Sequence, residues 1–179
     1  MLQALAPLLS RNTRVLVLGS FPGAASLAAQ RYYAHPQNHF WKILDAIWPD
    51  SPCRTVTSSY EIRSKWLLSK GLGVWDVYAA CERQGSLDAD IRNAQLNDFG
   101  SLRQRCPQLQ AIAHNGGESY KHARRVAAAL AANPGTRGGG GCTEVTIYKL
   151  PSTSPANASW RFERKLAAWR EVFEKHGLI

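Results

Sequence analysis

Four short apolar runs, separated by segments of helical periodicity, set out the chain. Residues 14–20 (RVLVLGS) and 72–78 (LGVWDVY) are nearly continuous apolar stretches of strand length. Residues 109–114 (LQAIAH) form a third, and 144–150 (EVTIYKL) alternate and are β-branched. Short runs bounded by turn residues predict strands, and continuous apolarity predicts burial on both faces. Between them, Phe40, Leu44 and Ile47, with Trp41 and Trp48 beside them, fall at helical spacing, and Pro49 and Pro52 end that helix. Ser58 and Glu61 have capping-box spacing for a helix reaching Lys70, with Gly71 as its C-cap. Ser26 is placed to cap a short helix, and the first ten residues read as another. A polar segment with local caps at Ser86 and Asn97 leads to a short helix near Arg105. The alanine-rich stretch 118–132 is helical, and Phe162, Leu166, Trp169 and Phe173 mark the buried face of a last helix. Its other face carries Arg161, Arg164, Lys165, Arg170 and Lys175.

Strands alternating with helices imply a parallel sheet covered on both faces. The expectation is an α/β fold, a three-layer α/β/α sandwich around a central four-stranded parallel sheet, in a single domain spanning residues 1–179. Ligands of such sheets bind beyond the carboxyl ends of the strands. Three strands end in polar turn-forming residues: Gly19-Ser20-Phe21-Pro22, His114-Asn115-Gly116 and Pro151-Ser152-Thr153-Ser154. The stretch RYYAHPQNHFWKIL, from Arg31 to Leu44, adds two tyrosines, a His-Pro turn and an amide ahead of a packed helix. Pro36 predicts extended backbone from Tyr33 to His35, and Asn38 is placed as a helix N-cap. That loop can hold a flat polar ligand; alternatively, Asn38 only caps the helix and the tyrosines only pack.

Charge narrows the partner. Lys and Arg number 22 against 13 Asp and Glu, giving a net charge of +9 and a pI near 9.7. A compact chain this basic points to a polyanion, nucleic acid first. No apolar run approaches the roughly 20 residues of a membrane span, so no membrane partner is expected. Cys53, Cys81, Cys106 and Cys142 contain no Cys-x-x-Cys pair, and the five histidines no metal spacing. They read as free thiols of a reducing cytoplasm, with no metal and no cofactor expected. The glycine-rich 137–142 follows no strand and precedes no Gly-Lys-Ser, so it does not read as a nucleotide cradle.

GSFPG at 19–23, YYAHPQNHFWK at 32–42, Asn115-Gly116 and LPSTSPANA at 150–158 together resemble the uracil-DNA glycosylase superfamily, in matching order from about residue 14 onward. AHPQNHFWK and PSTS are similar to segments of mismatch-specific uracil/thymine-DNA glycosylases. GSFP, Trp75-Asp76-Val77 and Gly85-Ser86-Leu87-Asp88 bring the chain nearest to the hypoxanthine (deoxyinosine)-DNA glycosylase branch, the sixth family. The resemblance implies a monofunctional, monomeric, cytoplasmic and nucleoid-associated repair enzyme. Its partner would be double-stranded DNA containing a deaminated base, hypoxanthine first. Uracil, xanthine or G-mismatched substrates are the nearest alternative. A non-catalytic nucleic-acid-binding module of the same fold is another.

Relatives in the mismatch branch carry a catalytic Asn or Asp where this chain has Phe21, and a phenyl ring can neither orient nor deprotonate water. In the deoxyinosine branch that role passes to the Asn of QNHFW, here Asn38. The resemblance further implies that Gly19, Ser20, Phe21, Pro22, Tyr33, Asn115, Ser152 and Ser154 contact the flipped nucleotide. Tyr33 would stack on the base and Asn115 read its edge. Ser152 and Ser154 would meet phosphates at the start of the last helix. Pro155, Ala156 and Asn157 would enter the vacated stack, and Arg161 would touch the DNA. Asp76 reads as structural, and His35, His39 and His114 as proton donors or backbone partners.

Overall fold

The computed structural model describes residues 1–52, 59–134 and 144–179. The first half runs β1 (Leu2–Gln3), β2 (Val15–Gly19), α1 (Ala24–Ala29), α2 (Phe40–Ile47), α3 (Tyr60–Ser69), β3 (Leu72–Asp76) and β4 (Tyr78–Glu82). After a 3-10 turn at Asp88–Asp90 come β5 (Arg92–Leu96), α4 (Leu102–Arg105), β6 (Ala111–Asn115), α5 (Gly117–Tyr120), α6 (Ala123–Ala132), β7 (Thr146–Leu150) and α7 (Phe162–Lys175). Cys53, Cys142, Ser58 and the glycine-rich 137–142 lie outside the described residues. Cys81 and Cys106 are free and buried.

The central sheet has the order β3-β2-β6-β7, with every neighbouring pair parallel. Alternation along β2 explains the layers. Val15 and Val17 face a core made with Phe40, Ile43 and Leu44 of α2 and Trp169 and Phe173 of α7. Leu16 and Leu18 face the opposite core, with Leu102, Val126 and Leu130 from α4 and α6. Each fully buried side chain of this kind contributes about 1.5–3 kcal/mol, so both faces of the central strand are committed. No helix among the described residues is long and apolar enough to cross a membrane.

Several local expectations shift. The apolar run 72–78 splits at Val77: β3 stays in the parallel sheet, while β4 joins β1 and β5 in a second, antiparallel sheet. Carbonyls of Gly19 and Ser20 accept from Val77 and Tyr78 N–H, which turns the chain there. The first residues are therefore extended, Leu2 pairing Cys81, rather than helical. Ser86 does not cap locally; its Oγ accepts from Ala24 N at the start of α1. Gly23 is the N-cap of α1, and Ser26 lies inside it, accepting from Ala34 N. Asn97 ties down the end of β3 by donating to the Asp76 carbonyl. Ser59 caps α3 by accepting from Ile62 N. The 118–132 stretch breaks at Lys121–His122 into α5 and α6. Lys165 belongs to the buried face of α7, 1% exposed, its ammonium donating to the Asn157 carbonyl.

Candidate active site

The carboxyl ends of β2, β3 and β6, the loop ahead of α2 and the loop after β7 enclose a cavity of about 390 Å³. That size suits a single base or comparable small ligand. Gly19, Ser20, Phe21, Pro22, Tyr33, Asn38, Asn115, Ser152, Ser154, Pro155, Ala156 and Asn157 all line it. Arg161 does not; it lies outside, exposed, as the N-cap of α7. Pieces more than a hundred residues apart converge because parallel register places all the strand ends on one edge.

Asn38 sits one residue earlier than an N-cap, which is His39. Its Oδ1 accepts from Phe40 N at 2.9 Å, so the backbone fixes the amide's orientation. Among the described residues, one Oδ1 lone pair and both Nδ2 protons have no partner and are available for a ligand. Tyr33 is not extended: it adopts φ +55, left-handed for a non-glycine residue. Such a conformation costs about 1–3 kcal/mol and persists only where the surroundings enforce it. Phe40 enforces it by stacking on the ring at 4.1 Å, covering one of its faces. Burial holds the Tyr33 hydroxyl well above its usual range, so it stays neutral.

Asn115 is already occupied. Its Nδ2 donates to Tyr33 OH at 3.1 Å and to Thr153 Oγ1 at 2.9 Å, and its Oδ1 accepts from Thr153 N at 2.9 Å. The amide thus clamps β6 to the two flanking loops, with one Oδ1 lone pair uncommitted among the described residues. Ser152 Oγ accepts from Ser154 N and Ser154 Oγ from Ala156 N, which leaves both hydroxyl protons to donate. These serines precede the helix start at Phe162 by eight residues or more, and its N-cap is Arg161. Lys165 under Asn157 and the Trp169 indole under Pro151 fix this loop instead. Phe21 is buried, with the Arg83 guanidinium 5.0 Å from its ring centre.

Two carboxyls complete the lining. Asp88 stands at the rim, its Oδ1 accepting from Ser20 Oγ at 2.7 Å, and desolvation pushes its pKa up. Asp76, the last residue of β3, is 4% exposed and lines the cavity, although its sequence suggested a structural part alone. It pairs in register with Gly19, where a Cβ would stand 2.6 Å from Asp76 Oδ1. Asp76 Oδ2 finds no hydrogen-bond partner among the described residues. Burial pushes this carboxyl up to about 8; Asp88 adds to the rise and Arg83 opposes it. A carboxylate closing an apolar strand at its ligand-binding end was the signal available in the sequence. Of the histidines, only His35 lines the cavity. His114 is buried against Ser119 Oγ at 2.7 Å, and burial lowers its pKa to about 4. His39 is also lowered, chiefly by burial. Among the described residues no group of three or more His, Cys, Asp or Glu side chains is arranged to hold a metal.

Asp76 makes stability depend on pH. Its carboxyl titrates near 3.8 when unfolded and near 8 when folded. Between those values folding takes up a proton, so stability falls as pH rises, by up to about 1.4 kcal/mol per pH unit. Asp76→Asn should therefore be more stable than wild type at pH 8 and lose that advantage by pH 4. Urea unfolding across this range checks it; a difference that does not grow with pH means that the carboxyl is not held neutral.

The chain matches the uracil DNA glycosylase superfamily over residues 6–173. It is 31% identical over 173 residues to a hypoxanthine DNA glycosylase of Methanosarcina barkeri, covering 97% of this chain and 98% of that one. It is 33% identical over 165 residues to a hypoxanthine DNA glycosylase of Methanosarcina acetivorans, covering 92% and 93%. A solution NMR structure from Methanosarcina acetivorans, provisionally described as a uracil DNA glycosylase, superposes with a TM-score of 0.78 at 28% identity and 98% coverage of both chains.

Proposed function

The chain belongs to the uracil DNA glycosylase superfamily, and from that membership we propose that it excises hypoxanthine from DNA, acting as a monomer on deoxyinosine-containing duplexes. The observation that carries this reading is the placement of Asn38 on the same cavity as the Gly19–Pro22 turn, where Phe21 offers no polar group. Two relatives that carry the hypoxanthine DNA glycosylase name, aligned over more than nine-tenths of this chain, support the choice of base.

The chemistry follows from what a neutral amide can do. Hydrolysis breaks the bond between C1′ and the base and passes through an oxocarbenium-like sugar. An amide is no strong base, but it can hold a water in line with C1′ and aim its lone pair at the sugar. The flipped base enters the cavity against Tyr33, with Ser152 and Ser154 donating to the adjacent phosphates. Flipping costs least where the base pair is already weakened, as with a deaminated base. Pro155, Ala156 and Asn157 are small, so the loop fills the vacated stack only partly.

The test is release of free base, under single-turnover conditions, from duplexes carrying deoxyinosine, uracil, xanthine or ethenocytosine. Hypoxanthine release fastest among the four is the expected result. Intact DNA in every case, with binding retained, would leave a non-catalytic DNA-binding module.

DNA affinity should also fall steeply with salt. Arg161 and Arg164 are exposed at the start of α7, and Arg124 and Arg125 are exposed on α6. Arg170 and Lys175 are partly neutralised by Glu174 and Glu171, and Lys121 by Glu118, so they contribute less. Each phosphate neutralised adds a slope of about −0.9 in log affinity against log salt. Alanine at both Arg161 and Arg164 should reduce the slope by about two. A slope near zero in the wild type would remove the electrostatic basis of binding.

A further inference from the structure

We infer that Asp76 is a second catalytic group: its Oδ2 hydroxyl donates to N7 or O6 of the departing purine as the C1′–N9 bond opens. The inference rests on the glycosylase reading and adds an acid to it.

Geometry leads to this residue. Asp76 is 4% exposed and lines the cavity from the end of β3. Gly19 beside it lacks the side chain whose Cβ would meet Asp76 Oδ1 at 2.6 Å, so the glycine makes the room the carboxyl occupies. Oδ2 has no partner among the described residues. A buried oxygen left unsatisfied weakens folding, and such groups in native proteins generally have a use. A carboxylic acid here meets the acceptor edge of a 6-oxopurine, where negative charge collects as the base leaves.

The surroundings favour the acid form. From the 3-10 turn, Asp88 sets a negative charge near it. From the end of β4, Arg83 sets an opposing positive charge, but its guanidinium is engaged with the Pro22 and Gly85 carbonyls. Tyr32 and Tyr33 face it from the loop after α1 and are neutral, their hydroxyls raised by burial. His35 lines the same cavity, and Asn115 and Ser20 add no charge. Burial is the largest cause, and the carboxyl titrates near 8.

The step balances. C1′–N9 breaks and its electron pair stays on the purine, which takes the proton from Asp76 Oδ2. The carboxylate so formed faces the cationic sugar and stabilises it. The water oxygen held by Asn38 bonds to C1′, and its lost proton returns through solvent to Asp76. The products are neutral hypoxanthine, the deoxyribose hemiacetal and the regenerated acid.

The experiment is single-turnover hypoxanthine release from a deoxyinosine duplex between pH 5.5 and 10, with wild type, Asp76→Ala, Asp76→Asn and Asp88→Asn. Wild-type rates should fall above about pH 8, approaching tenfold per pH unit. Asp76→Ala should be slower at pH 7 on the order of thirtyfold, below the usual roughly hundredfold or more for a general acid because the purine also draws protons from solvent. Asp76→Asn keeps a donor and its fold but no transferable proton, so its profile should be flat above pH 8. Asp88→Asn should keep the alkaline fall and move it to lower pH, since Asp88 holds Asp76 up. A merely structural Asp76 would not couple the alkaline limb to both substitutions. Folded Asp76 variants within threefold of wild type, or an unchanged alkaline limb in Asp76→Asn, overturn the inference while the glycosylase reading stands. A wild type that binds the duplex and releases no hypoxanthine at any pH overturns both.

Discussion

Asn38→Ala is expected to slow hypoxanthine release by on the order of a hundredfold, the scale of losing one positioned catalytic group. The fold should survive. Asn38 Oδ1 accepts one backbone bond, from Phe40 N, and losing a cap of that kind costs about 1 kcal/mol. Helix α2 is held independently by Phe40, Trp41, Ile43, Leu44 and Ile47, all buried. DNA binding should also survive, since most contacts of such complexes go to phosphates. The loss should therefore fall on the chemical step, and single-turnover release at saturating enzyme isolates it. Asn38→Asp is an informative companion, because it keeps the acceptor to Phe40 N and replaces the Nδ2 donors with a second acceptor. A folded, DNA-binding Asn38→Ala enzyme within about threefold of wild type would leave Asn38 as a tie to α2 and nothing more.

Gly116→Ala should cost about 3 kcal/mol of stability and distort the site with it. Gly116 has φ 99 and ψ 173, a region open essentially to glycine alone. An added Cβ would lie 2.9 Å from Ser152 Cβ, closer than side chains approach. Strain of about 1–3 kcal/mol and overpacking of similar size act together. Neither can be relieved cheaply, because Gly116 N donates to the Leu150 carbonyl and Asn115 next to it clamps Thr153 and Tyr33. In a chain of 179 residues this should lower Tm by roughly 6–12 °C. Displacement of Ser152 should also raise KM for DNA. Calorimetry showing a Tm within about 2 °C of wild type would mean that the loop after β7 yields freely.

The sequence made the parallel sheet legible because a strand buried on both faces must be apolar throughout, and Val15–Gly19 is so. Polar residues at strand ends were equally readable, since a parallel sheet sends those ends to one edge whatever its strand order. Hence twelve of the thirteen expected site residues share one cavity, Arg161 being the exception. The antiparallel β1-β4-β5 sheet was not legible. Its strands are short, β5 is largely exposed and polar, and the break at Val77 interrupts an unbroken apolar run. What decides that break is a pair of bonds from Val77 and Tyr78 N–H to the Gly19 and Ser20 carbonyls, formed only once β2 and β3 are side by side.

Lys165 shows the same limit from the other direction. Charge placed it on the solvent face, but the Asn157 carbonyl gives its ammonium a buried partner that lies on a different element. Asp76 looked structural for a related reason, because its burial and its bare oxygen depend on a glycine in the neighbouring strand. The sequence by itself determined which residues could form strands and helices and which polar groups would meet at the sheet edge, because periodicity and turn chemistry act over a few residues. Only the tertiary structure decided which of those groups are already spent, as Asn115 is on Tyr33 and Thr153, and which keep hydrogen-bonding capacity, as Asn38 and Asp76 do. Hydrogen-bond saturation and desolvation are set by neighbours distant in sequence, and they exist only after the chain has packed.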